Sequence, residues 1–336
     1  MKGIVGWIKR HQVLAFFIFT YTMSWSVLAI YVFLFEGNEE VSVFFEPLVV
    51  FSPAFVAMFI SGLVSPPSKL PREKKRWLAF LIAWLISAAV LILYGWKIHH
   101  IDDLLLLILV FGIVSIFPAW VISSVFSRSP GIRKLFSTLL KPRGPLIWYV
   151  VVFLIFPGIP LTGMWITRMF GGEAQFYMSG KKFWDILFIL VLEFFHVFLM
   201  TGGINEESGW RGFALPRLQS RFPVIVSALI VGFLWSMWHL PLDFGTGVPL
   251  AWILENRLVW TPVFAVLMAW LYNRTKGSLL APVLFHSAMN AFGNQFSQTT
   301  VGNLLLIVVL MIAVVSDRMW QKLSPDHTAV YSSAEQ

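Results

Sequence analysis

Cysteine is absent from this 336-residue chain, and charged residues make up only 12% of it. Without cysteine there is no disulfide framework, no thiolate-ligated zinc site and no thiol nucleophile. The shortage of charge excludes more. A soluble domain is about one-quarter charged, and the charge here is too sparse to coat a water-facing surface. What is abundant is apolar: 58% of residues are hydrophobic and 16% aromatic, with a mean hydropathy of +0.77. A soluble enzyme, a disordered protein and a secreted disulfide scaffold are all excluded. The composition is that of a polytopic membrane protein.

About 20 consecutive apolar residues cross a bilayer as a helix. Ten stretches are candidates, at about 12–35, 43–64, 77–96, 104–126, 146–166, 184–203, 223–241, 258–273, 279–296 and 301–316. The last three are short or closely spaced, so the expected number of spans is about 8–10. The runs are solidly apolar and do not alternate at period two, which favours helices over an outer-membrane barrel. The expected fold is an all-α, polytopic transmembrane helix bundle.

The net charge of +8 invites a nucleic-acid reading, but the placement of the charges argues against it. Only Lys97, Arg168, Lys181, Lys182 and Arg257 fall in one set of alternate loops, and the other 20 of the 25 basic residues fall in the opposite set. That is a topology signal, not a basic face on a soluble module. By the positive-inside rule the N and C termini are expected to be cytoplasmic, and the uneven split supports an even number of crossings. Trp7, Trp77, Trp96, Trp148, Trp165, Trp184 and Trp320 lie near the expected helix ends, where an indole wets its N–H and buries its ring. The first apolar run is too long for a cleavable signal peptide and reads as a retained span. The expected location is the cytoplasmic membrane of a prokaryote, with the bilayer as one partner and no nucleic acid.

Ionisable groups in hydrocarbon are costly and mark function by default. Among the first five spans the acid is Glu46, beside Pro47; the later spans hold Asp185, Glu193, His196, His239 and His286, and Glu206 and Glu207 follow the sixth directly. Adjacent residues on a helix point about 100° apart, so Glu206 and Glu207 cannot share one role. Glu207 and Arg211 are at i,i+4, the spacing of an ion pair, which leaves Glu206 to face elsewhere. A cytoplasmic loop with a solvated charge pair is the plainer alternative. His239 closes Trp235-Ser236-Met237-Trp238-His239, where Pro241 is expected to help end the helix; it is open to a catalytic or a merely interfacial role. His286 and Asn290, at i,i+4, share one face and suit either catalysis or a hydrogen bond to a neighbouring helix. Glu193 and His196 form a Glu-x-x-His pair, but a di-iron site needs a second such unit and further carboxylates. Packing or proton handling fits them better.

The order of these clusters is more specific than any one of them. Glu-Glu-x-x-Trp-Arg-Gly at 206–212, Trp-x-x-x-His ending in His239-Leu240-Pro241, and His286-x-x-x-Asn290 together resemble the CPBP family of CAAX prenyl endopeptidases and bacteriocin-processing enzymes, which are intramembrane glutamic proteases. The resemblance covers 206–290 well and extends over the helices from about 184 to 316. It implies that Glu206, with His239, activates the attacking water, that His286 and Asn290 line an oxyanion hole, and that Glu207 and Arg211 support the first motif. The common form of the second motif has phenylalanine where this chain has Trp235. The resemblance does not cover the first five helices, which read as an accessory bundle over 1–170 ahead of a catalytic membrane core over 180–320 and a cytoplasmic tail over 321–336.

The chemistry agrees with that resemblance. Peptide hydrolysis needs a base for water and donors for the tetrahedral oxyanion, and no cofactor is implied. The expected partner is a membrane-associated peptide or protein substrate, prenylated or not. Three other readings stay open: a zinc peptidase using Glu206, His239 and His286, a silent scaffold, immunity or regulatory protein of the same fold, and a proton-coupled transporter built on Glu193, His196 and the Glu206 region. The oligomeric state has no signature. One geometric difficulty stands: at 1.5 Å per residue, His239 lies about 24 Å along its helix from Pro223 and His286 only about 11 Å into its own. For the motifs to meet, 184–218 is expected to be one long or bent helix, with Gly202-Gly203 allowing the bend.

Overall fold

A computed structural model describes residues 3–35, 39–65 and 73–324. Lys2, Lys69 and Arg72, which count among the 20 basic residues of the opposite loops, and the tail beyond Ser324 lie outside the described residues. In chain order the helices are α1 (Ile4–Arg10), α2 (Gln12–Phe35), α3 (Glu39–Val50), α4 (Ser52–Val64), α5 (Glu73–Lys97), α6 (Leu104–Phe126), α7 (Pro130–Phe136), α8 (Ile147–Met169), α9 (Phe183–Leu199), α10 (204–219), α11 (Val224–Gly245), α12 (Leu250–Arg274), α13 (Leu280–Ala288) and α14 (Thr300–Ser316). The protein is a polytopic helical bundle. Among the described residues seven helical segments are long and apolar enough to cross a membrane, and an eighth results if α3 and α4 form one span bent by 45°. The bend sits at Phe51, two residues before Pro53, whose missing N–H leaves one bond of the ladder unmade across the break.

Three features differ from the sequence pattern. The 258–273 stretch is the second half of α12. Instead of spanning at 279–296, the chain forms nine-residue α13 followed by the π turn Met289–Gly293, together about 21 Å and too short for hydrocarbon about 30 Å thick. Pro241 does not end α11, which continues to Gly245; a proline costs only the local i−4 bond when neighbouring helices hold the segment in place.

α9 and α10 form the expected long segment, Phe183–Gln219, broken at 200–203. Gly202 has φ +136°, a conformation that only glycine adopts without strain. Asn205 closes the break, accepting from the Gly202 N–H at 3.0 Å and donating to the Met200 carbonyl at 2.9 Å. A break inside a membrane is tolerated when its backbone groups are satisfied in this way.

Loop contacts sort the bundle into two ends. At one, Arg128 pairs with Glu73 at 2.7 Å, Thr138 caps the Leu279 N–H at 2.8 Å, the Ile225 N–H donates to the Met319 carbonyl at 2.8 Å, and Lys9 and Arg10 share a cavity with Arg217 and Arg221. At the other, Gln175 and Ser297 exchange hydrogen bonds beside an antiparallel bridge between Phe176 and Phe296. The loops rich in lysine and arginine therefore share one end. α2 and α4 pack on the later helices: Phe16 meets Trp210 edge-on at 5.3 Å, the Trp238 indole donates to Ser24 at 2.7 Å, and a Cβ on Gly209 would press on Pro53.

Candidate active site

The first motif opens α10, directly after the glycine break. Glu207 and Arg211 form the expected pair at 2.8 Å, but it is not solvated: their side chains are 0% and 1% exposed. The same oxygen, Oε1 of Glu207, lies 2.8 Å from Nδ1 of His286. A buried ion pair offsets its desolvation only with good geometry and further hydrogen bonds, and here one carboxylate oxygen serves two partners from different helices. Arg211 also lies over the Trp235 ring, 4.5 Å from its centroid, a stacking suited to a planar guanidinium. The plainer reading of a solvated loop is overturned.

Glu206 points the other way, as the 100° step requires. It is buried, and its Oε2 accepts from two indoles, Trp235 Nε1 at 2.6 Å and Trp210 Nε1 at 3.4 Å. Each hydrogen bond to an ionised carboxylate is worth about 1.5–3 kcal/mol. Trp210 begins a π turn, Trp210–Ala214, and a π turn also carries Asn290; such insertions re-aim side chains and recur at functional sites.

His239 sits on α11 with Nδ1 2.8 Å from the Trp235 carbonyl. Because a carbonyl only accepts, Nδ1 carries the proton and Nε2 keeps its lone pair in the neutral ring. His286 is buried on α13. Its ring meets the Trp235 ring edge-on at 5.2 Å, and a Cβ on Gly202 would collide with its imidazole. Despite the unequal depths expected along their helices, His239 and His286 line one cavity, and the turn before α13 packs Thr275, Ser278 and Leu279 inward while Lys276 stays exposed.

A cavity of about 400 Å³ joins these elements, with Trp235, His239, His286 and Asn290 in its wall. Its rim includes exposed Asn294 and Gln298, so it opens toward the end with the few basic residues. The structure thus brings His239, His286 and Asn290 to one cavity and ties His286 to Glu207 and Arg211. It does not place Glu206 in the cavity wall or in contact with His239; Trp235 lies between. Glu193 and His196 are elsewhere, at the α5 interface, where the Tyr94 hydroxyl donates to Glu193 at 3.2 Å and the Tyr94 ring stacks on His196 at 3.8 Å. Among the described residues no three His, Asp or Glu side chains are arranged to hold a metal ion, and Glu206 stands outside the cavity that His239 and His286 line. They do not fit the zinc reading.

Sequence reasoning missed two groups. One is the donor role of Trp235 and Trp210, signalled only by indoles four residues before His239 and four after Glu206. The other is Arg257, in the cavity wall, held by Asp243 through bonds of 2.7 and 2.8 Å. Fourteen positions separate them, a spacing with no helical meaning.

Residues 183–292, which contain all three motifs, match the family model described as type II CAAX prenyl endopeptidase Rce1-like. The part of the chain that carries the three motifs is thus similar to the CAAX prenyl endopeptidases. Consistent with that, it is similar to "CAAX prenyl protease 2" of Methanococcus maripaludis, 29% identical over 149 residues that cover 42% of this chain and 53% of that one. The chain thus matches about half the length of that curated relative, and its helices before residue 183 lie outside the family match. Its long apolar helices make it an integral membrane protein.

Proposed function

We propose that the chain is an intramembrane endopeptidase that hydrolyses a peptide bond of a membrane-associated substrate. The observation that carries this reading is the convergence of His239, His286 and Asn290 on one cavity, with Glu207 and Arg211 behind His286 and Glu206 behind Trp235. The N-terminal helices, 1–170, serve as an accessory bundle to the 180–320 core.

In this mechanism a water gives up a proton to the Glu206 and His239 pair, and its oxygen adds to the scissile carbonyl carbon. Nε2 of His239 is the atom with a free lone pair for that step. The oxyanion accepts from His286 and Asn290. Nδ1 of His286 is committed to Glu207, so the donor at Nε2 requires the doubly protonated ring. Collapse breaks the C–N bond, and the proton goes to the leaving amine. Two preorganised donors are worth about 3 kcal/mol each on oxyanion-hole precedents. A carbonyl substrate reaches the histidines from the open end of the cavity, past Arg257.

The position of Glu206 behind an indole favours one competing reading, a silent scaffold or regulator of the same fold. The deciding experiment is cleavage of a diverse peptide pool by lipid-reconstituted protein, read by mass spectrometry, with Glu206→Gln and a zinc chelator in parallel. Chelator-resistant products that vanish in Glu206→Gln support the glutamate mechanism. Products abolished by chelator reverse the judgement on zinc, and a folded protein with no Glu206-dependent product supports the scaffold.

A further inference from the structure

Trp235 touches nearly every member of the site. Its indole N–H donates to Glu206 at 2.6 Å, its carbonyl faces Nδ1 of His239 at 2.8 Å, its ring lies under Arg211, and its edge meets His286. Trp235, His239 and His286 line the cavity, and Glu206 does not. The tryptophan is therefore the wall between the glutamate and the space where substrate and water enter. A phenyl ring at this position has no N–H to donate and fills less volume.

We propose that Trp235 is a positioning residue that gates the site: its indole holds the Glu206 carboxylate back from the cavity, and water reaches Glu206 when this ring swings aside. The gate rests on Glu206 being the base only for its effect on turnover; the occlusion itself does not. The obstruction is one side chain with rotamer alternatives, and it forms part of the wall of the 400 Å³ space that substrate enters. Substrate entering that space competes with the indole for position, so the base is exposed in step with substrate binding. Closing off a catalytic group until substrate is seated is a known route to excluding side reactions.

The test separates occlusion from catalysis. Wild type, Trp235→Phe and Trp235→Ala are placed in lipid nanodiscs and treated with a carbodiimide and glycine ethyl ester, and amide formation at Glu206 is followed by mass spectrometry, with Glu207 as the fully buried internal control. Glu206 modification is expected to rise several-fold in Trp235→Phe and at least tenfold in Trp235→Ala, with Glu207 unmodified throughout. Equal Glu206 modification in wild type and Trp235→Phe overturns the gate, and that variant keeps the test valid if the alanine variant does not fold. Peptide cleavage on the same samples is expected to show a several-fold higher kcat in Trp235→Phe with KM little changed, a split that a general loss of packing does not produce. Higher modification with no cleavage in any sample keeps the gate and overturns the role of Glu206 as base.

Discussion

Glu207 and His286 stand 79 positions apart in the chain and meet at 2.8 Å, carboxylate oxygen to imidazole nitrogen. The same oxygen takes Arg211 from its own helix, one turn on. α10 and α13 are locked together by the Glu207–His286 contact, and with it the distance between the first and third motifs.

Removing that acid should cost stability before it costs chemistry. Glu207→Ala leaves Arg211 buried without its counter-charge, and breaking a buried pair in this way costs about 3–5 kcal/mol. The expected result is a clear drop in Tm in detergent, with Glu207→Gln affected less. An unchanged Tm for the alanine variant would contradict the buried pairing.

Glu206→Gln keeps the shape of the side chain and its capacity to accept from Trp235 through the amide oxygen. Stability should be close to wild type, while turnover should fall by about 10²–10⁴, the usual contribution of a positioned base. Single-turnover kinetics on a cleavable peptide measure this. Retention of full activity would remove Glu206 from the mechanism.

Gly202→Ala combines two costs. The residue has φ +136°, and the added methyl meets the His286 ring. A loss of more than about 2 kcal/mol is expected from strain and overlap together, with activity falling further than Tm because His286 is the displaced group. A wild-type Tm with wild-type activity would contradict the close approach.

Tyr94→Phe removes the hydroxyl that donates to Glu193 and keeps the ring on His196. It should cost about 1 kcal/mol, the net value of one hydrogen bond, and leave cleavage unaltered. If instead it abolishes pH-dependent substrate uptake in liposomes, the transporter reading returns.

Much of the site was legible in the motifs, because spacing within a helix fixes which side chains share a face. The i,i+4 step from Glu207 to Arg211 gave their pair, and the 100° turn separated Glu206 from it. Gly202-Gly203 marked the break. The burial of the pair was not legible, since adjacent carboxylates read equally as a loop. Nor was the start of α13: whether the 275–279 turn is wet or buried depends on Thr138, supplied from 139 to 141 positions away.

The sequence alone determined that this protein is a membrane helix bundle, because hydropathy and charge placement are local sums over a chain that must satisfy its backbone in lipid. It also singled out the residues that the proposed mechanism uses. Tertiary structure decided how those residues meet: one acid shared by two cations or donors, and an indole set between a glutamate and a cavity. These depend on distances between helices, which periodicity within a helix does not encode.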